Sequence, residues 1–144
     1  MFTDVWAGSY DTLAQTDKDE VLACGLNNYS QLGISKGMLF HTLTKSKGLS
    51  QKWAQIAFGQ HHALCLDHEG KVYAIGRADY GRLGLGKEAT DEGKSDAKAS
   101  NPFLCTKNLN YPNFLGGIFL RNCQPDPANF TQRKCRNIEF LAFL

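Results

Sequence analysis

Phe58-Gly59-Gln60-His61-His62-Ala63-Leu64-Cys65-Leu66-Asp67-His68-Glu69-Gly70-Lys71-Val72-Tyr73-Ala74-Ile75-Gly76-Arg77-Ala78-Asp79-Tyr80-Gly81-Arg82-Leu83-Gly84-Leu85-Gly86 is the stretch on which the fold turns. His62 to Leu66 is a short, mostly apolar run. Asp67 to Gly70 reads as a turn, with Gly70 free to take positive φ. Lys71 to Ile75 is a second run with β-branched and aromatic residues, closed by Gly76. Tyr80-Gly81, Gly84 and Gly86 break any further regular element. The pattern predicts two strands, a hairpin turn and a glycine-punctuated loop.

The same unit stands 51 residues earlier, with no gap. Gly8 falls on Gly59, Leu13 on Leu64, Val21 on Val72, Ala23 on Ala74 and Gly25 on Gly76. Tyr29 falls on Tyr80, Leu32 on Leu83 and Gly33 on Gly84; upstream, Phe2 meets Trp53 and Val5 meets Ile56. A period of this length marks a solenoid, propeller or array. Short strands and glycine turns favour a β-propeller over helical repeats. The expected fold is all-β: part of a seven-bladed propeller, about two blades, with an irregular C-terminal tail.

The strands of the first copy are expected at residues 2–7, at Thr12–Gln15 and at Val21–Cys24, with an outer edge strand at Met38–Leu43. Asp17-Lys18-Asp19-Glu20 forms their hairpin turn without the glycine that Gly70 supplies in the second copy. Leu32, flanked by polar residues and glycine, is expected to insert between blades. Lys45, Lys47 and Lys52 lie in a polar stretch that reads as a solvated outer loop. Residues 87–100 hold no aromatic and no large aliphatic residue, too little apolar surface to offset chain entropy, and read as a flexible linker.

From Asn101 the pattern changes. No third copy follows, and the outer strand of the second blade does not declare itself. Pro102, Pro112, Pro125 and Pro127 interrupt the text, Gly116-Gly117 breaks its most apolar run, and no period of 2 or 3.6 is sustained. Two readings stay open for residues 101–144. They are the product of a retained intron, frameshift or mis-joined gene, or they are a divergent capping segment.

Bulk properties exclude several classes. With 144 residues the chain suffices for one modest domain, but not for seven blades of about 50 residues each. Residues 1–100 carry 11 Lys and Arg against 12 Asp and Glu, and residues 101–144 carry 5 against 2. This balance argues for no particular nucleic-acid partner. Five cysteines with no C-x-x-C spacing argue against a disulfide framework and a zinc site. Cys24 and Cys65 fall in strands and are expected to be buried, reduced thiols. The N-terminal residues show no signal peptide, and no apolar run reaches the ~18 residues of a membrane span. The sequons at Asn28 and Asn129 are taken as chance matches.

No catalytic constellation stands out. Adjacent strand residues point to opposite faces, so His61 and His62 cannot chelate one metal from a regular strand. Gly81, Gly84 and Gly86 lack the Lys-Ser/Thr and the helix N-terminus of a phosphate loop. No cofactor, metal or small-molecule substrate is expected.

The run from His62 to Gly84, and its earlier copy Cys24-Gly25-Leu26-Asn27-Asn28-Tyr29-Ser30-Gln31-Leu32-Gly33, resemble repeats of the regulator of chromosome condensation family. The resemblance covers roughly residues 2–90. It implies a fragment or truncated form of a guanine-nucleotide exchange factor for the small GTPase Ran. Such a protein is nuclear, bound to chromatin and its nucleosomes, and supports nucleocytoplasmic transport and mitosis. Exchange involves no covalent chemistry. The residues just before the first short strand of a blade face the GTPase in this family. The resemblance therefore implies His61, Gln60 and His62 as contacts, with Ser9, Tyr10 and Asp11 as first-copy counterparts. For His62 the competing reading is a hydrogen bond within the blade. No wedge-like insertion is recognisable and about five blades are missing, so the isolated chain is expected to be inactive. The alternative is a non-catalytic repeat scaffold for protein–protein interaction.

Overall fold

The structure is a computed structural model. It describes residues 1–78 and Leu83, together with the strands at 98–104, 114–115, 118–121, 124–126, 129–134 and 137–140. The first sheet runs through β1 (Phe2–Ala7), β2 (Asp11–Thr16), β3 (Val21–Leu26) and β4 (Leu39–Lys45) in chain order. The second repeats this with β5 (Trp53–Phe58), β6 (His62–Asp67), β7 (Val72–Arg77) and β8 (Lys98–Leu104). All neighbours within the two sheets are antiparallel. These are two four-stranded blades. Among the described residues there is no helix, and so none long and apolar enough to cross a membrane.

The 51-residue offset holds at the level of hydrogen-bond register. Phe2 pairs with Thr16 and Trp53 with Asp67, and a bulge follows at the same place in each copy. Asp11 pairs with Gly25 and His62 with Gly76. The hairpin turns also agree. Asp19 takes φ 58° where Gly70 takes 83°. Short polar side chains tolerate this left-handed conformation better than other non-glycine residues. The Thr16 hydroxyl accepts from the Glu20 amide at 3.2 Å, as the Asp67 carboxylate accepts from the Lys71 amide at 2.8 Å.

The expected inner strands stand, lengthened by a residue or two, and the outer strand lies at Leu39–Lys45. The second outer strand, not legible in the sequence, is β8. Twelve residues separate β3 from β4 and twenty separate β7 from β8, yet the register is conserved. Gly25 pairs with Phe40 and Ala23 with Thr44; Gly76 pairs with Ala99 and Ala74 with Phe103. Pro102 is tolerated because it falls in the irregularity between those paired stretches, on an edge strand, where no ladder N–H is required. Residues 98–100, expected in the linker, thus belong to β8; the rest of that linker lies outside the described residues.

The core lies between the two blades. Leu13, Val21, Ala23, Leu32 and Leu49 meet Trp53, Ile56, Phe58, Ala63, Cys65 and Ile75. Leu32 inserts between the blades and is fully buried. Its loop is held by Asn27, whose side-chain amide donates to Ile34 O at 2.8 Å and Gly37 O at 2.9 Å while its Oδ1 accepts from Leu32 N at 3.1 Å. Gln15 ties the blades directly: its Oε1 accepts from Trp53 N at 3.0 Å. Cys65 is buried and Cys24 half-buried.

After β8 come five short strands: β9 (Phe114–Leu115), β10 (Ile118–Arg121), β11 (Gln124–Asp126), β12 (Asn129–Lys134) and β13 (Asn137–Phe140). They form a small sheet in the order β13-β10-β9 and a hairpin of β11 with β12.

Candidate functional site

The connections β1–β2 and β5–β6 emerge at one end of the two blades, where β3 and β7 finish. Each is a tight turn: Gly8 N donates to Asp11 O at 2.8 Å and Gly59 N to His62 O at 2.8 Å. The next strand but one then holds the turn. Leu26 N donates to Tyr10 O at 3.0 Å, and Arg77 N donates to His61 O at 2.9 Å. Gly25 and Gly76 make this approach possible. A Cβ on Gly25 would sit 2.1 Å from Tyr10 O, one on Gly76 would sit 2.6 Å from His61 O, and both residues have φ above +110°.

Tyr10 and His61 occupy the same repeat position, so the packing of the blades brings them side by side. Their rings stack at 6.4 Å with planes 11° apart. Tyr29, from the loop after β3, tilts against His61 at 5.3 Å with the planes 51° apart. The Arg77 guanidinium lies over the Tyr29 ring at 4.9 Å, the geometry of a cation–π contact. The buried Gln31 side chain fixes this loop by accepting from Tyr29 N at 3.0 Å. The result is a row, Tyr10, His61, Tyr29, Arg77, with an aromatic body and one cationic end. Gln60 and Ser9 lie exposed beside it, and Tyr10 is 56% exposed.

His62 and Asp11 are not brought into the row. They are buried, at 1% and 3% exposure. The His62 ring lies against Gly59, where an added Cβ would stand 2.0 Å from its Cε1. Neither Asp11 carboxylate oxygen has a hydrogen-bond partner, and burial pushes the pKa up to about 7 against a small lowering from the Leu26 backbone. The lysines do not gather either: Lys45 pairs with Glu20 at 2.5 Å and Lys52 with Asp19 at 3.6 Å, all at exposed positions. Among the described residues, no group of three or more His, Cys, Asp or Glu side chains is placed to hold a metal ion.

Tyr29 and Arg77 are absent from the expected contacts. The signal for them was topological. In an antiparallel blade the third strand ends where the second begins, so residues just after β3 and at the end of β7 must lie beside residues 10 and 61.

No family model matches the chain. Among curated proteins, the regulator of chromosome condensation of Xenopus laevis is 43% identical over 94 residues, which is 63% of this chain and 22% of that protein. Its mouse counterpart is 44% identical over the same length and shares. Over this span the chain is similar to the regulator of chromosome condensation proteins. A more distant relative is the guanine nucleotide exchange factor SRM1 of Saccharomyces cerevisiae, 32% identical over 116 residues, 75% of this chain and 24% of that protein. Among solved structures, Saccharomyces cerevisiae Prp20p, described with its binding to Gsp1p and histones, matches 81% of this chain and 28% of its own at a TM-score of 0.59 and 23% identity. That likeness establishes the β-propeller fold. The chain spans about a fifth of the length of these relatives.

Proposed function

We propose that the chain supplies two blades of a guanine-nucleotide exchange factor for the small GTPase Ran, acting in the nucleus on chromatin. The row Tyr10–His61–Tyr29–Arg77, with Gln60 beside it, is its GTPase-facing surface in this reading. The observation that carries it is the row itself: the equivalent residues Tyr10 and His61, with Tyr29 and Arg77, brought together at the blade end where family resemblance puts the GTPase. The exchange-factor name of the yeast relative and the Gsp1p binding of Prp20p support the same assignment. His62 and Asp11 act from beneath, by shaping the turns that carry His61 and Tyr10.

Exchange by this route needs no covalent step. A protein that binds the nucleotide-free GTPase more tightly than the loaded one must, by linkage, weaken nucleotide binding. Two blades alone are a poor platform for it. Phe2 and Val5 in β1 are 50% and 63% exposed, whereas their counterparts Trp53 and Ile56, covered by the first blade, are 2% and 4% exposed. The first blade therefore presents a bare apolar face. The isolated chain is expected to have little or no exchange activity.

The test is capture of Ran by the immobilised chain, with Ran nucleotide-free or loaded with a non-hydrolysable GTP analogue. Selective capture of the nucleotide-free form, weakened by His61→Ala and by Arg77→Ala, supports the reading. Capture that ignores nucleotide state and both substitutions refutes it and favours a scaffold.

A further inference from the structure

The second blade is buried on both faces. Toward the first blade it presents Ala63, Cys65 and Ile75, which join the core between the blades. The alternating positions on β6 and β7 are Leu64, Leu66, Val72 and Ala74, which pair across the strands as Leu64 with Ala74 and Leu66 with Val72. These point to the opposite face. Their counterparts in the first blade are Leu13, Gln15, Val21 and Ala23. Those are covered by the second blade, as the core contacts and the bond from Trp53 N to Gln15 show.

The first blade cannot cover both sides of the second. Yet Leu64, Leu66, Val72 and Ala74 are at most 3% exposed, and Leu83, the counterpart of the inserted Leu32, is 1% exposed. Some later part of the chain must cover them. Residues 87–97 lack the apolar side chains to do so. The tail has them, and its backbone is in the right place: β13 comes within 8 Å of both β5 and β6. β1 also comes within 8 Å of β5.

We propose that the tail strands β9–β13, with β13 foremost, occupy the position of a third blade and cap the outer face of the second. The chain is then a capped two-blade unit, closed at its second blade and open at the Phe2–Val5 face of its first. A terminal cap is what a repeat array needs, since each repeat is stabilised mainly by its neighbours.

Two measurements on the full 144-residue chain test this. With p-benzoylphenylalanine in place of Phe140, irradiation should link the tail to peptides within residues 53–78. Links confined to other segments, or to other molecules, overturn the proposal. Ile138→Asp should speed amide exchange across residues 62–76 by about tenfold or more and leave residues 11–26 unchanged. Ala89→Asp, in the apolar-poor stretch, should alter neither. Exchange that is unchanged by Ile138→Asp, or raised equally in both blades, overturns it.

Discussion

Replacing Gln15 by leucine removes a side-chain bond that reaches the backbone of the next blade. Gln15 is 1% exposed, and its Oε1 accepts from Trp53 N at 3.0 Å. Leucine fits the backbone there, since Leu66 holds the same position in the second blade. The substitution therefore removes an acceptor without opening a large cavity. It strands the Trp53 N–H inside the interface, which costs about 1–3 kcal/mol. Greater apolar burial offsets part of that, so a net loss of about 1–2 kcal/mol is expected. For a chain of this size the melting temperature should fall by about 3–8 °C. Urea unfolding followed by tryptophan fluorescence measures it, because Trp53 sits at the interface. The midpoint should drop while the slope is unchanged. A variant as stable as the parent, or more stable, would refute the idea that this bond helps dock the blades.

Gly76→Ala places a Cβ 2.6 Å from His61 O at φ +111°, so it should destabilise the chain by about 2 kcal/mol or more in the same urea assay. A neutral result would mean that the Arg77 N to His61 O contact does not need the glycine. Asp19→Gly should be neutral or stabilising by up to about 1 kcal/mol, because it relieves a non-glycine left-handed residue at the loss of only an exposed pairing with Lys52. A clear loss of stability would contradict the equivalence of the two hairpin turns. Asp11 gives a pH signature. Its folded pKa, about 7, lies above the unfolded value of 3.8, so the folded state holds the extra proton between them. Stability from this group is present below about pH 4, falls as pH rises to about 7, and is level above. Asp11→Asn should remove that dependence and be the more stable form at pH 8. Thermal melts of both proteins from pH 4 to pH 8 check it, and parallel profiles would refute the burial of the charge.

Much of this protein follows from its sequence because the repeat states the fold twice. A strand pattern at Phe58–Gly86 that recurs 51 residues earlier dictates two like sheets. Glycines at positions 25 and 76 and leucines at 32 and 83 mark the places where backbones or blades must approach. Local chemistry settles these points: positive φ, strand alternation and turn residues act over a few residues. The second outer strand escaped because its ladder bonds are made to β7 across a twenty-residue gap, and pairing at a distance tolerates Pro102 and a polar sequence.

Only the tertiary structure decided the site and the role of the tail. Tyr10, His61, Tyr29 and Arg77 come from four separate places in the chain, and no local rule joins a tyrosine after β3 to a histidine before β6. The blade packing does so by setting His61 beside Tyr10, its equal in the repeat, and beside the loop that follows β3. The same packing buries His62 and Asp11 next to residues it leaves in the open. The burial of Leu64, Leu66, Val72 and Ala74 likewise depends on what stands across from them. An apolar residue in a strand is the same letter whether its face is bare, as at Val5, or covered, as at Ile56, and only its neighbours in space distinguish the two.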